Sequence, residues 1–300
     1  MARLRPDRLI TLKVVQPCRR LAARLGWLRS RAPSPTRCLP VLMYHSIAEE
    51  LEAGVPAYYQ TATRPDVFAG QMVRLKAGGF QGVDLATGLA WLHATGPDSP
   101  AHPVAITFDD GFRDFLTDAF PVLQRERFTA TMYLPTAFIA GPGGRRSFKG
   151  RECLTWSEVR QLGAAGMEFG SHTVNHPRLV ELSPDRVRAE LADSKSEIEQ
   201  QLGIPVPSFA YPYAFPNGNR AFARQFCDWV AAAGYQNCVT TQIGRVVPGD
   251  DLYTLKRLPV NSLDDAALLG AKVQGDYDWL GRAQAVIKAL KHWGGRAHGA

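Results

Sequence analysis

Short apolar runs alternate with amphipathic segments along most of this chain of 300 residues. Runs of this kind are typical of strands buried in a parallel sheet, which carry near-continuous apolar sequence. They lie at residues 39–44, 103–108, 129–134, 167–170, 208–211 and 237–241.

The segments between these runs carry the signals that begin and end helices. Thr155 and Glu158 have the spacing of a capping box. The clearest helix begins after Ser183 and ends at Gly203, and further helices are predicted at 65–77, 220–233 and 283–290. About seven strand–helix units in roughly 260 residues predict an α/β fold, a closed or nearly closed barrel with its helices outside.

Composition is that of an ordinary globular protein, with 45% apolar and 21% charged residues. The net charge of +7 is unevenly distributed, because residues 1–38 contain ten Lys or Arg and one acid and therefore carry +9. Residues 39–300 carry −2 in total, which argues against a nucleic-acid partner, since such proteins place basic residues on a folded face. We predict a basic N-terminal extension at 1–38, ending in a breaker-rich linker at 31–37, and a single domain at 39–300.

The basic extension is typical of a segment that makes peripheral contact with an anionic membrane, and a contribution to solubility alone is the alternative. Its uncharged stretches are too short for the apolar region of a signal peptide, and no window approaches the roughly 20 apolar residues of a membrane span. The five cysteines are scattered and form no CxxC pair or disulfide framework. The expected location is the cytoplasm, peripheral to the inner membrane.

Polar residues cluster where two of the predicted strands end. Asp109 and Asp110 follow the run at 103–108, and adjacent carboxylates there can serve a metal ion and its water; a turn or a helix cap is the alternative. His172 and His176 follow the run at 167–170, and on one helical turn they would share a face and a metal ion. Two histidines and one aspartate leave coordination positions open, which is typical of catalytic sites.

Two further strand ends carry candidate residues. Tyr211, Pro212 and Tyr213 would make a rigid wall for a sugar ring, and a buried strand followed by a turn is the alternative. His45 ends the first apolar run, where a histidine is either structural or a proton donor.

The order of these clusters, TFDDG at 107–111 and HTVNH at 172–176, resembles the polysaccharide deacetylase family. This family is also called the NodB homology domain or carbohydrate esterase family four, and the resemblance covers about residues 39–260. It implies a distorted (β/α)7 barrel that removes acetyl groups from N-acetylated sugars.

The resemblance also implies roles for individual residues. Asp109 matches the general base, and Asp110, His172 and His176 match the metal ligands. Zinc is the expected ion for two histidines and an aspartate, with cobalt, nickel and iron as alternatives.

The proton donor distinguishes two branches of the family. Many members use a histidine in a C-terminal Leu-x-His motif, which is absent here. The chain looks like the branch that includes biofilm poly-N-acetylglucosamine deacetylases, in which a histidine of an N-terminal strand takes that role. His45 matches that position.

One motif departs from the family pattern. The third motif usually reads Arg-x-Pro-x-Gly, and the corresponding run here is AYPYA at 210–214, so the arginine that pairs with the base is absent. Arg113 and Arg257 are the candidates to supply that charge and tune Asp109.

Together these observations predict a metal-dependent N-deacetylase acting on an N-acetylhexosamine in a polysaccharide or a lipid-linked glycan precursor. The backbone N–H of Tyr213 is a candidate donor to the oxyanion. One alternative is another amide hydrolase on the same scaffold, acting on a cyclic imide or a formamide. A second is a sugar-binding domain without catalytic activity.

Overall fold

A sheet of parallel strands forms the centre of the protein in a computed structural model, which describes residues 5–24, 37–50, 52, 54–94, 102–281 and 283–284. The strands are β1 (Val41–Tyr44), β2 (Ser46–Ile47), β3 (Ala62–Thr63), β4 (Gln81–Val83), β5 (Pro103–Phe108), β6 (Thr131–Leu134), β7 (Ser147–Phe148), β8 (Arg151–Glu152), β9 (Glu168–Ser171), β10 (Ser208–Ala210), β11 (Asn237–Ile243) and β12 (Leu255–Pro259).

Eight of these strands belong to the central sheet, in the order β1-β12-β11-β10-β9-β6-β5-β4. β1 also pairs with β5, which closes seven strands into a ring. β4 is the eighth strand and pairs with the first half of β5, whereas β6 pairs with its end. The fold is therefore a closed parallel barrel of the (β/α)7 type, and the predicted fold class is confirmed.

Helices surround the barrel, most of them in the connections between strands. They are α1 (Pro6–Ile10), α2 (Gln16–Arg24), α3 (Pro65–Ala77), α4 (Leu85–His93), α5 (Phe120–Glu126), α6 (Trp156–Ala164), α7 (Pro184–Leu202), α8 (Arg220–Ala232) and α9 (Ala266–Gln274). The predicted capping box opens α6, with Thr155 and Glu158 each accepting a bond from the other's backbone N–H. Gly203 ends α7 at a φ of +71°, a conformation that glycine adopts without strain.

The core lies inside the barrel and between the barrel and its helices. All six residues of β5 and all four of β1 are buried, as expected for strands covered on both faces. The helix α7 buries Val187, Leu191 and Ile198 on one side.

The N-terminal segment forms a helical rod on the outer wall of the barrel. α1 continues through a π-helical turn, Thr11–Val15, into α2, and the turn packs against α9. The linker predicted at 31–37 lies outside the described residues except for Arg37, as does the helix predicted at 283–290 except for residues 283–284. The domain boundary at residue 38 remains a prediction. None of the helices in the described ranges has the length and apolar character needed to cross a bilayer.

Candidate active site

The ends of neighbouring strands place His45 beside Asp109. β1 and β5 pair in register, with Tyr44 opposite Phe108, so the residue after each strand emerges at the same edge. The Asp109 N–H donates to the Tyr44 carbonyl over 3.0 Å. The Nε2 atom of His45 lies 3.9 Å from Oδ2 of Asp109, which is close but beyond a hydrogen bond.

Asp110, His172 and His176 form a buried group whose ligand atoms all lie within 4.8 Å of one another. Oδ1 of Asp110 is 3.6 Å from Nε2 of His172 and 3.2 Å from Nε2 of His176. Two donors that each lie about 2.1 Å from a tetrahedral zinc ion are about 3.4 Å apart. The spacing of the three side chains therefore fits a divalent ion.

The bonding of these side chains also fits a metal ion. Oδ1 of Asp110 is buried and has no hydrogen-bond partner among the described residues, which is costly for a carboxylate oxygen unless a cation satisfies it. Nδ1 of His172 lies 2.8 Å from the Ala210 carbonyl, and as its donor it leaves the Nε2 lone pair directed at the group. Burial lowers the pKa of His176 to about 4, so its neutral, metal-binding form predominates at neutral pH.

The two histidines reach this position from a loop. The helical turn expected at 172–176 is wrong, because Thr173 and His176 both have a positive φ, which ends helical geometry. Glu190 of α7 holds the loop instead, accepting hydrogen bonds from the N–H groups of Val174 and Asn175 at 2.8 and 3.0 Å. The Glu190 side chain is buried, and sequence analysis did not single it out.

Unusual backbone conformations concentrate around this group. In the described ranges six residues other than glycine have a positive φ, and all but Arg127 lie at the site: Asp110, Lys149, Thr173, His176 and Tyr213. Each such residue costs of order 1 kcal/mol or more and persists only where its surroundings impose it. Apart from Arg127, this strain is therefore concentrated at the residues that form the candidate centre.

Arg257 supplies the positive charge that the third motif lacks. Its guanidinium makes two hydrogen bonds to the Asp109 carboxylate, at 2.7 and 2.8 Å, and both side chains are buried. Burial alone would raise the pKa of Asp109, but the charge and hydrogen bonds of Arg257, together with His172 and His45, outweigh it and lower the pKa below its usual range. Asp109 is therefore ionised at neutral pH.

Arg113, the other predicted source of this charge, faces away from Asp109. Its guanidinium bonds to Glu158 in the first turn of α6 at 2.9 Å, and its side chain is 34% exposed. The prediction for Arg113 is therefore wrong, since its charge is neutralised at Glu158. Arg257 reaches Asp109 because barrel closure places β12 next to β1.

His45 and Asp110 respond differently to their surroundings. Burial lowers the pKa of His45, against the opposing charges of Asp109 and Asp110. Burial opposes ionisation of Asp110, but the neighbouring imidazoles and Lys149 outweigh it and hold its pKa well below the usual range. Two ionised carboxylates, Asp109 and Asp110, therefore lie near His45, whose side chain is 18% exposed.

The three residues of the third motif that were predicted to form a sugar-binding wall lie in different environments. Tyr211 is 2% exposed and packs edge-on against Phe215 and Phe226 in the core, so its predicted place at the substrate surface is wrong. Pro212 is also buried. Tyr213 is 40% exposed, and its ring centroid lies 4.6 Å from that of His176.

A hairpin that sequence analysis missed borders the same site. β7 and β8 pair antiparallel around Lys149 and Gly150, whose positive φ values suit a two-residue hairpin turn. The Phe148 ring lies 4.9 Å from that of His176, and Nζ of Lys149 lies 3.1 Å from Oδ2 of Asp110. The Lys-Gly pair was the only local signal for this turn, and it is weaker than Asn-Gly.

The barrel, with carboxylates and histidines at its strand ends, has the architecture of a hydrolase, and comparison with known proteins shows which family it is similar to. Residues 96–237 match the family model for polysaccharide deacetylases. YxkH of Bacillus subtilis (strain 168), which bears the family's name, is 28% identical over 87% of this chain and 84% of its own. Residues 96–237 thus match a polysaccharide deacetylase domain, and the similarity to YxkH extends over most of the chain.

Three other proteins extend the comparison. Poly-beta-1,6-N-acetyl-D-glucosamine N-deacetylase of Escherichia coli (strain K12) is 26% identical over 49% of this chain, which spans only 22% of that protein. The structure of the deacetylase PplD of Streptococcus pyogenes in complex with acetate matches 79% of this chain and 99% of its own, with 26% identity and a TM-score of 0.67. IcaB of Ammonifex degensii shares the fold, with a TM-score of 0.63 over 79% of this chain and 97% of its own at 24% identity.

Proposed function

We propose that this chain is a metal-dependent hydrolase that removes N-acetyl groups from an N-acetylhexosamine in a polysaccharide or a lipid-linked glycan. The observation that carries the proposal is the pairing of an ionised, Arg257-bound Asp109 with the adjacent group of Asp110, His172 and His176. The name of the Escherichia coli relative supports the choice of an N-acetylglucosamine polymer.

In this proposal Asp110, His172 and His176 hold a divalent ion through Oδ1 and the two Nε2 atoms. Such an ion, when bound, polarises the amide carbonyl and makes water a stronger acid. Zinc suits these ligands, and cobalt, nickel or iron would also fit them. The neutral state of His176 and the ionised state of Asp110 are the forms that bind a cation.

Asp109 is the proposed general base. Arg257 keeps it ionised and fixes its plane, so that a carboxylate oxygen is available to accept a proton from the attacking water. The backbone N–H of Tyr213 is a candidate donor to the oxyanion, next to the ring that packs on His176.

His45 is the proposed proton donor to the leaving amine. An amine leaves readily only when its nitrogen is protonated, and His45 lies on the same side of the site as Asp109, with partial access to solvent. Because burial lowers the pKa of His45, its imidazole must gain a proton before it can donate one, and the charges of Asp109 and Asp110 favour that protonated form.

Replacing His45 with alanine is expected to lower kcat by about 10²- to 10⁴-fold, the usual contribution of a general acid. Zinc content should not change, because His45 contributes no ligand atom to the group of Asp110 and the two histidines. The measurement is amine release beside elemental analysis, with His93→Ala at the exposed end of α4 as the matched control. Wild-type turnover in His45→Ala would rule out the assignment.

The reaction class is tested by amine release from N-acetylglucosamine oligomers with added zinc or cobalt, beside a panel of cyclic imides and formamides. Metal-dependent release from the oligomers is expected. Turnover of an imide or a formamide alone would assign the site to the other amide hydrolases. Oligomer binding without turnover of any amide, in metal-loaded protein, would support a sugar-binding domain.

A further inference from the structure

The N-terminal helical rod, residues 6–24, begins at a buried network of charges. Arg5 pairs with Asp7 at 2.6 Å and with Asp264 at 3.3 Å, and Asp7 accepts a hydrogen bond from the Tyr277 hydroxyl at 2.6 Å. These four side chains are each at most 8% exposed. Because the charges are paired and buried, separating the rod from the barrel would leave several of them unsatisfied.

Further contacts fix which side of the rod faces the barrel. The Trp279 indole donates to Oγ1 of Thr11 over 2.9 Å, and Arg19 pairs with Asp276 at 2.5 Å. The inward side is thus held by polar and ionic contacts, which are directional. The orientation of the outward side is consequently determined as well.

Four large apolar side chains of the rod face solvent. Leu9, Ile10, Val14 and Leu21 are 45, 40, 54 and 58% exposed, and they are four of the ten exposed large apolar side chains recorded for the described ranges. Scattered exposed apolar residues are ordinary, but a concentration on one side of one helical rod indicates a binding surface. We call these four residues the apolar stripe.

Basic residues border the apolar stripe. Lys13 and Arg20 are exposed on the same rod, seven residues or two turns apart, and residues 1–38 as a whole carry +9. An apolar face with Lys and Arg beside it is the pattern of a helix that lies in the plane of a membrane interface. Anionic headgroups complement this charge.

The narrow stripe does not suit a stable protein interface. Such an interface buries about 800 Å² on each partner and needs some 20 residues a side. Four apolar side chains and two cations on one rod supply far less, whereas insertion into a headgroup layer requires only one such face.

We propose that the apolar stripe, with Lys13 and Arg20, docks the protein on an anionic lipid bilayer, with the rod in the headgroup plane. Arg8 bonds to Asp265 at the start of α9, and Arg19 bonds to the Gln274 carbonyl at its end, so the rod runs alongside α9. A bilayer on this side flanks the barrel wall and leaves the strand ends with the candidate active site open. The docking is independent of the proposed reaction.

The test is flotation of the full chain with phosphatidylcholine vesicles, with and without phosphatidylglycerol. The wild type is expected to bind only the anionic vesicles and to be released by high salt, which screens the attraction. Ile10→Ser/Val14→Ser/Leu21→Ser should weaken binding about tenfold or more, because the apolar anchors are removed. Lys13→Gln/Arg20→Gln should weaken it about fivefold for each charge.

The matched control is Val73→Ser/Ile204→Ser, which removes two exposed apolar side chains from elsewhere on the surface and should bind like the wild type. The thermal unfolding midpoint and the amine release from a soluble N-acetylglucosamine oligomer should be measured for every variant. Values equal to those of the wild type would show that the barrel is intact. Absence of wild-type binding to anionic vesicles overturns the proposal, as does equal binding of stripe and control variants. Self-association that the stripe variant abolishes, without vesicle binding, would assign the surface to a second copy and also overturn it.

Discussion

Replacing Asp109 with asparagine is expected to lower kcat for deacetylation by about 10²- to 10⁴-fold, since the amide cannot accept the proton of the attacking water. The metal content should stay at the wild-type level, because the ligand group consists of Asp110, His172 and His176. Amine release and elemental analysis on the same preparation measure both quantities.

Asp110→Asn is the matched comparison for this variant. It changes the neighbouring carboxylate in the same way but removes a ligand, so metal and activity should fall together. Loss of metal in Asp109→Asn with retention in Asp110→Asn would exchange the two roles. Wild-type turnover by Asp109→Asn would exclude it as the base.

Replacing Arg257 with methionine is expected to lower the free energy of unfolding by about 3–5 kcal/mol, because it leaves the Asp109 carboxylate buried and unpaired. The pKa of Asp109 should rise, since the charge that lowers it is gone. The acid limb of the pH–rate profile is then expected to shift to higher pH. Chemical denaturation and the profile of kcat/KM measure the two effects.

Arg113→Met provides the control for this prediction. The Arg113 side chain is 34% exposed, and Glu158 keeps a second partner in Arg145, so loss of this ion pair should cost about 1 kcal/mol or less. The double variant Arg257→Met/Asp109→Asn should be more stable than the sum of the single changes predicts, because it removes both charges of the pair. Strict additivity would show that the two residues are not coupled.

Much of the fold could be predicted because buried parallel strands are apolar throughout. β5 was predicted with its observed bounds, and the capping box of α6 and the glycine that ends α7 are local signals. The shorter strand β4 and the last barrel strand β12 were not among the predicted strands. β4 has only three residues, and β12 contains Lys256 and Arg257, which interrupt an apolar run.

The ligand group could be predicted because strand ends meet at one edge of a barrel, but its local geometry could not. The spacing of His172 and His176 favoured a helical turn, whereas a loop forms because Glu190 satisfies its backbone. That contact depends on how α7 packs, which spacing within the motif does not reveal.

The partner of Asp109 shows a similar limit. Arg113 is four residues from Asp109 in sequence, and Arg257 is 148 residues away. The pairing follows from the register that places β12 against β1, which in turn adjoins β5. Sequence could name both arginines as candidates, and only the closed barrel distinguishes them.

The central claim is that the group of Asp110, His172 and His176 binds the metal ion on which hydrolysis depends. The most direct test is the metal content of wild type and His172→Ala after reconstitution with zinc or cobalt, beside amine release from N-acetylglucosamine oligomers. His102→Ala, an exposed histidine elsewhere, is the control. About one ion per chain is expected for the wild type and for His102→Ala. His172→Ala is expected to lose both the ion and the activity. A wild type that takes up no metal, or a His172→Ala variant that retains metal and activity, would contradict it.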